Sequence, residues 1–139
     1  MSIVVDISVV LAWLFEEDHT PKALEILRRV EGEGMLVPPL WWYELENGIL
    51  LGERRTRRSS EESDAFLKLI YALPIQTDDA PQQQTCDWII PLGRRYRLTA
   101  YDAAYLELAV RSSSPLATFD TAIRQSADKL GAKPMPARI

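Results

Sequence analysis

The sequence predicts an α/β fold, a parallel sheet covered on both faces by helices, and two observations carry that expectation. The β-branched run Ile3-Val4-Val5 reaches Asp6 and Ser8 and turns at once into the helical apolar pattern of Val9, Val10, Leu11, Trp13 and Leu14, as a buried parallel strand feeding a helix does. The short apolar runs Met35-Leu36-Val37 and Pro115-Leu116-Ala117-Thr118 alternate with longer segments of helical spacing, and such alternation gives a parallel sheet. At 139 residues the chain has the size of one domain, so a single core over residues 1–139 with no linker is expected.

Each element has its own justification. After the first strand and helix, Thr20-Pro21 supplies an N-cap and a proline at the first helical position. Ala23, Ile26, Leu27 and Val30 then repeat at helical spacing until Gly32 and Gly34 stop the helix. Met35-Leu36-Val37 is a buried strand, closed by Pro38-Pro39, which open a helix running to about Arg54. On that helix Trp42, Leu45 and Ile49 form the apolar stripe, while Glu44 and Asn47 share another face. Ser59 followed by Glu62 is a capping-box pattern, and Phe66, Leu69, Ile70 and Leu73 make the apolar face of the next helix. Leu73-Pro74-Ile75 is a very short strand or a turn. From Asp78 to Arg97 the pattern is helical, with Pro91 expected to kink or split it. Thr99 to Asp102 opens a helix through Ala109, and Pro115 to Thr118 is a strand. Asp120 begins a helix carrying Ile123, Ala127 and Leu130 that Gly131 ends, and Lys133 to Pro136 adds an edge strand.

Composition excludes several classes. There is no run of about 18 apolar residues for a membrane span, and the amino terminus lacks the pattern of a signal peptide, so the expected location is cytoplasmic. One cysteine, Cys86, allows neither an internal disulfide nor a thiolate metal site, and it is expected as buried filler. The net charge of −4 argues against nucleic acid. That inference weakens if four acids belong to one metal site, which leaves sixteen charges of each sign. The basic residues are also clumped, in Arg54, Arg55, Arg57 and Arg58 and in Arg94, Arg95 and Arg97.

Four acids fall at element junctions: Asp6, Glu44, Asp102 and Asp120. In a parallel sheet the strand ends converge on one rim, which would bring these carboxylates together. Like charges at such spacing repel, and a divalent cation removes the cost; an all-oxygen donor set selects a hard ion such as magnesium or manganese. Singly, each acid has an ordinary explanation. Asp6 and Asp120 fit helix N-caps, Asp102 fits a capping box with Thr99, and Glu44 fits a surface position.

The context of these acids distinguishes the two explanations. Val5-Asp6-Ile7-Ser8, Pro38-Pro39 with Glu44 and Asn47, Leu98-Thr99-Ala100-Tyr101-Asp102-Ala103-Ala104-Tyr105, and Pro115-Leu116-Ala117-Thr118-Phe119-Asp120 together resemble the PIN-domain ribonucleases, most closely the VapC toxins of bacterial toxin-antitoxin pairs. The resemblance spans the whole chain with its motifs in order. It implies a three-layer α/β/α PIN-like fold and a magnesium- or manganese-dependent endoribonuclease. Asp6, Glu44, Asp102 and Asp120 match the family's acidic quartet, and Ser8, Asn47 and Thr118 match residues that hold the carboxylates in position. Asp6, Asp102 and Asp120 are then the expected metal ligands, with Glu44 bound directly or through water and orienting the attacking water. Glu46, where a small residue is more usual, and Pro91 depart from the family pattern. The resemblance also implies a homodimer and a small VapB-type antitoxin that covers the site, the pair binding its promoter DNA through the antitoxin.

Arg94, Arg95 and Arg97 are the candidates for contact with RNA phosphates. The single histidine, His19, stands before a helix cap in polar surroundings, which argues against a two-histidine mechanism. Trp13, Trp42 and Trp88 are expected in the core or an interface, while Trp41 fits either role. A phosphatase of the haloacid dehalogenase type needs a second acid where Ser8 stands. The remaining alternatives are a catalytically inactive binding or scaffold domain and an RNA-processing nuclease with no antitoxin.

Overall fold

The computed structural model describes residues 2–15, 20–56 and 58–138; His19 and Arg57 lie outside the described residues. The chain runs β1 (Ile3–Val5), α1 (Ile7–Leu14), α2 (Thr20–Glu33), β2 (Met35–Val37), α3 (Leu40–Thr56), α4 (Ser60–Tyr71) and β3 (Ile75–Thr77). It continues through α5 (Gln82–Tyr96), α6 (Ala100–Arg111), β4 (Leu116–Ala117), α7 (Thr121–Lys129) and β5 (Pro134–Met135). The five strands form one parallel sheet in the order β3-β2-β1-β4-β5. This is the expected three-layer α/β/α arrangement. The strand order departs in opposite directions from β1, so right-handed crossovers put α1 to α4 on one face of the sheet and α5 to α7 on the other.

Strand β1 lies at the centre, and Ile3, Val4 and Val5 are all fully buried, because a central parallel strand has helices on both sides. It is fixed in register by Ile3 N–H to the Gly34 carbonyl at 3.1 Å, Val4 N–H to Pro115 at 3.0 Å and Asp6 N–H to Ala117 at 2.8 Å. Gly34 has φ +82°, the left-handed turn that ends α2 and starts β2. At the other side of the sheet the Lys133 and Met135 carbonyls accept from Leu116 of β4 and from Thr118 just beyond it, which turns Pro134 of β5 and Pro136 after it toward the outer edge.

The capping box between Ser59 and Glu62 is present at the start of α4, and Gly131 at φ +76° follows α7 as expected. Helix α1 lies tightly on α3: a Cβ on Gly48 would stand 2.7 Å from Leu11 Cδ2, and one on Gly52 2.2 Å from Phe15 Cζ.

Several expectations need correction. The buried stripe of α3 is Trp41, Leu45 and Ile49, with Trp41 at 0% exposure, and Trp42 lies at its margin, donating its indole N–H to Thr77 Oγ1 at 2.8 Å. Adjacent aromatics differ by about 100° around a helix, and composition does not say which one faces in. Leu69 is 69% exposed, so the core face of α4 is Phe66 and Ile70. Cys86 is exposed, because the inward position at that point of α5 is taken by Thr85. Residues 78–81 precede α5 rather than opening it, and α5 continues through Pro91 as one helix. Pro91 is exposed, so the carbonyl that loses its partner can turn to water. Trp13, half-buried, packs against the core as expected, and Trp88 is half-buried. Trp13 donates to the Ala23 carbonyl at 2.7 Å, and the Arg111 guanidinium lies 4.9 Å from the centre of the Trp88 ring.

Candidate active site

The strands on either side of the β1–β4 boundary lead off in opposite directions, and the crevice at the carboxyl ends of such a pair is where open α/β sheets bind ligands. Asp6 follows β1 there, and Thr118 and Asp120 follow β4. Asp6 occupies the N-cap of α1, yet its side chain makes no cap hydrogen bond. Its Oδ2 instead accepts from Thr118 Oγ1 at 2.7 Å and from Ser8 Oγ at 2.8 Å. Each of those hydroxyls is itself held from behind. Asp120 N–H donates to Thr118 Oγ1 at 3.0 Å, and Phe119 N–H donates to Ser8 Oγ at 3.2 Å. Because a backbone N–H can only donate, both hydroxyls accept there and direct their own protons at Asp6.

The other acids reach the same rim from helices. Asp102 stands in the first turn of α6, where Thr99 caps the helix by accepting from Asp102 N–H at 3.1 Å. Asp120 caps α7, its Oδ1 accepting from Ile123 N–H at 2.9 Å. Glu44 comes from α3 and is half-buried, and its Oε1 accepts from the hydroxyl of Tyr105. Asp102 and Asp120 therefore do serve as helix-start residues, whereas Asp6 and Glu44 do not have the ordinary roles open to them.

Burial raises the Asp6 carboxyl above its usual range, the Thr118, Ser8 and Ile7 donors oppose that rise, and the charge of Asp102 adds to it. Burial likewise raises Glu44, against the Tyr105 hydrogen bond, and the charges of Asp6 and Asp102 push the same way. Asp102 is raised by burial and then by the charge of Asp120. The four carboxylates thus sense one another in pairs across the site. Among the described residues, no three Asp, Glu, His or Cys groups stand close enough to form a ready-made ligand set for a metal ion. Asp6, Glu44 and Asp120 are each held by their own donors, and repulsion opposes closer approach. In kind the set fits a hard cation, since all the donors are carboxylate oxygens and their repulsion is what a divalent charge relieves.

Ser8 and Thr118 meet the cluster directly. Asn47 is exposed, three residues beyond Glu44 on α3. Arg94, Arg95 and Arg97 are exposed at the end of α5, just before the helix that carries Asp102; Arg97 is the left-handed C-cap at φ 54°, and the Arg95 guanidinium lies 5.3 Å from the centre of the Tyr96 ring. Sequence reasoning gave Tyr105 no role. The available signal was its spacing of three residues from Asp102 on one helix, which puts both on one face.

No curated protein matches the chain. Nine chains of solved structures do. One, the crystal structure of PAE2754 from Pyrobaculum aerophilum, is 24% identical over 96% of this chain and 83% of that chain, with a TM-score of 0.66, a likeness of fold. The PIN domain family matches residues 3–129, a span that takes in Asp6, Glu44, Asp102 and Asp120. PIN domains are generally nucleases and typically use divalent metals. With its strand order, its buried first acid and this match over most of its length, the chain belongs to the PIN-domain family.

Proposed function

We propose that this protein is a magnesium- or manganese-dependent endoribonuclease that acts as the toxin of a type II toxin-antitoxin pair. The observation that carries the nuclease reading is Asp6: a buried carboxylate at an N-cap whose side chain is gripped by two hydroxyls instead of making a cap hydrogen bond, and which senses the charge of another acid. Such an arrangement destabilises the metal-free fold, and a chain with no use for it would be free to lose the charges.

Asp6, Asp102 and Asp120 would hold the cation, with Glu44 binding directly or through water. When bound, a divalent ion lowers the pKa of its water and draws charge from a phosphate oxygen. The chain's own residues do the rest. Ser8 and Thr118 fix the orientation of Asp6, and Glu44 orients the attacking water. Arg94, Arg95 and Arg97, exposed beside the helix of Asp102, contact RNA phosphates. The toxin role, with a homodimer, a small VapB-type antitoxin covering the acids and promoter DNA bound through that antitoxin, is supported by the likeness of the four motifs to VapC proteins.

The test is cleavage of total cellular RNA by the purified protein with magnesium, manganese or EDTA, beside Asp6→Asn. Metal-dependent bands that EDTA and the mutation both remove are expected. Activity in excess EDTA, or in Asp6→Asn, overturns the mechanism, and no cleavage with either metal transfers weight to a PIN-fold binding domain. Co-purification of a small protein encoded beside this chain tests the toxin role.

A further inference from the structure

Resting on the nuclease reading above, we propose that Tyr105 is the positioning residue of the acidic site, its phenol hydroxyl holding Oε1 of Glu44 so that this carboxylate stays within the cluster. Tyr105 is 1% exposed, and its ring is packed in the main core on α6, so the hydroxyl is a fixed point. Glu44 is not fixed by burial. It is half-buried on α3, has a long side chain with freedom to swing toward solvent, and is repelled by both Asp6 and Asp102.

The hydrogen bond spans 61 residues of sequence and ties α3 to α6, the helix that carries Asp102. It occupies one carboxylate oxygen of Glu44 and leaves the other for the cluster. A phenol suits this task better than a cation in the same place. It donates a proton without neutralising the charge that the site keeps for a metal. Burial among carboxylates raises the phenol's own pKa, so it remains a donor.

Tyr105→Phe removes the hydroxyl and keeps the ring. Manganese affinity, read directly by electron paramagnetic resonance, is expected to fall by about 10- to 100-fold, the usual effect of losing a partner of a metal ligand. The kcat for RNA should fall over a similar range while KM changes little. Because Tyr105 acts through Glu44, the double variant Tyr105→Phe/Glu44→Gln should be no worse than Glu44→Gln alone.

Wild-type manganese binding and cleavage in Tyr105→Phe, with both lost in Glu44→Gln, would overturn the positioning role and leave the nuclease reading standing. Additive losses in the double variant would overturn it as well. Should Tyr105→Phe fail to fold, Glu44→Asp provides the second test, since it keeps the charge but withdraws the carboxylate from the phenol. It is expected to show the same loss of manganese affinity, and wild-type affinity would overturn the proposal. A wild-type protein that neither binds manganese nor cleaves RNA would take down the nuclease reading itself.

Discussion

Two hydroxyls hold the Asp6 carboxylate in place. Thr118 is fully buried, and its oxygen serves Asp120 N–H and Asp6 together. Thr118→Val keeps the shape, removes a donor from a buried carboxylate and leaves a backbone N–H without its acceptor. It should cost about 1–3 kcal/mol in urea unfolding and reduce cleavage by about 10- to 100-fold. Ser8→Ala should cost less stability, because Ser8 is only half-buried and water can reach the gap. The positions of Asp6, Asp102 and Asp120 at a strand end and two helix starts were legible in local pattern, whereas Glu44, inside α3, was singled out by the family resemblance. Tyr105 was not legible, since its partner lies 61 residues away and only the tertiary fold joins them. The exposed Cys86 shows the same limit from the other side: residue type gives a general tendency, and the face of α5 on which it stands overrides that tendency.

Gly48 and Gly52 permit the close approach of α1 to α3, the helix that carries Glu44. At an exposed helix position Gly→Ala gains about 1 kcal/mol of helix propensity. At Gly52 the added Cβ would meet the Phe15 ring at 2.2 Å, and forcing such contacts costs about 1–3 kcal/mol. Gly52→Ala is therefore expected to lower the urea midpoint, contrary to its propensity, and a raised midpoint would show that α1 shifts freely. Elements with strong local signals, the Ser59–Glu62 box of α4 and the Gly34 turn into β2, formed where the sequence indicated. The inward residue of α3 did not, because Trp41 and Trp42 are adjacent and equally apolar, and only packing chooses between them. Pro91 was expected to kink or split α5, and it does not split it: a solvent-facing proline leaves its orphaned carbonyl to water and the helix continues.

For the molecule as a whole, the acidic crevice makes stability depend on pH. Asp6, Glu44 and Asp102 all have carboxyl values raised above the ordinary 3.8 or 4.5. The folded state therefore binds these protons more tightly than the unfolded chain. Their contribution to stability is full below the ordinary values and is lost as pH rises through the raised ones. In EDTA, the melting temperature of Asp6→Asn should gain on that of the wild type as pH rises from about 4 to about 7, and manganese should narrow the gap by stabilising the wild type. A gap that is constant with pH would mean that Asp6 carries no such burden. The sheet order, with β1 central and the chain turning back across it, is what gathers the acids, and the alternation of strands and helices in the sequence was enough to foresee the layers though not that order. The outer rim of this sheet has its own consequence. In β5 the inner carbonyls are taken by β4, and the outward positions are Pro134 and Pro136, which have no N–H to offer. A visiting strand would find no row of donors to zip onto, so this edge of the sheet resists growth by strand addition.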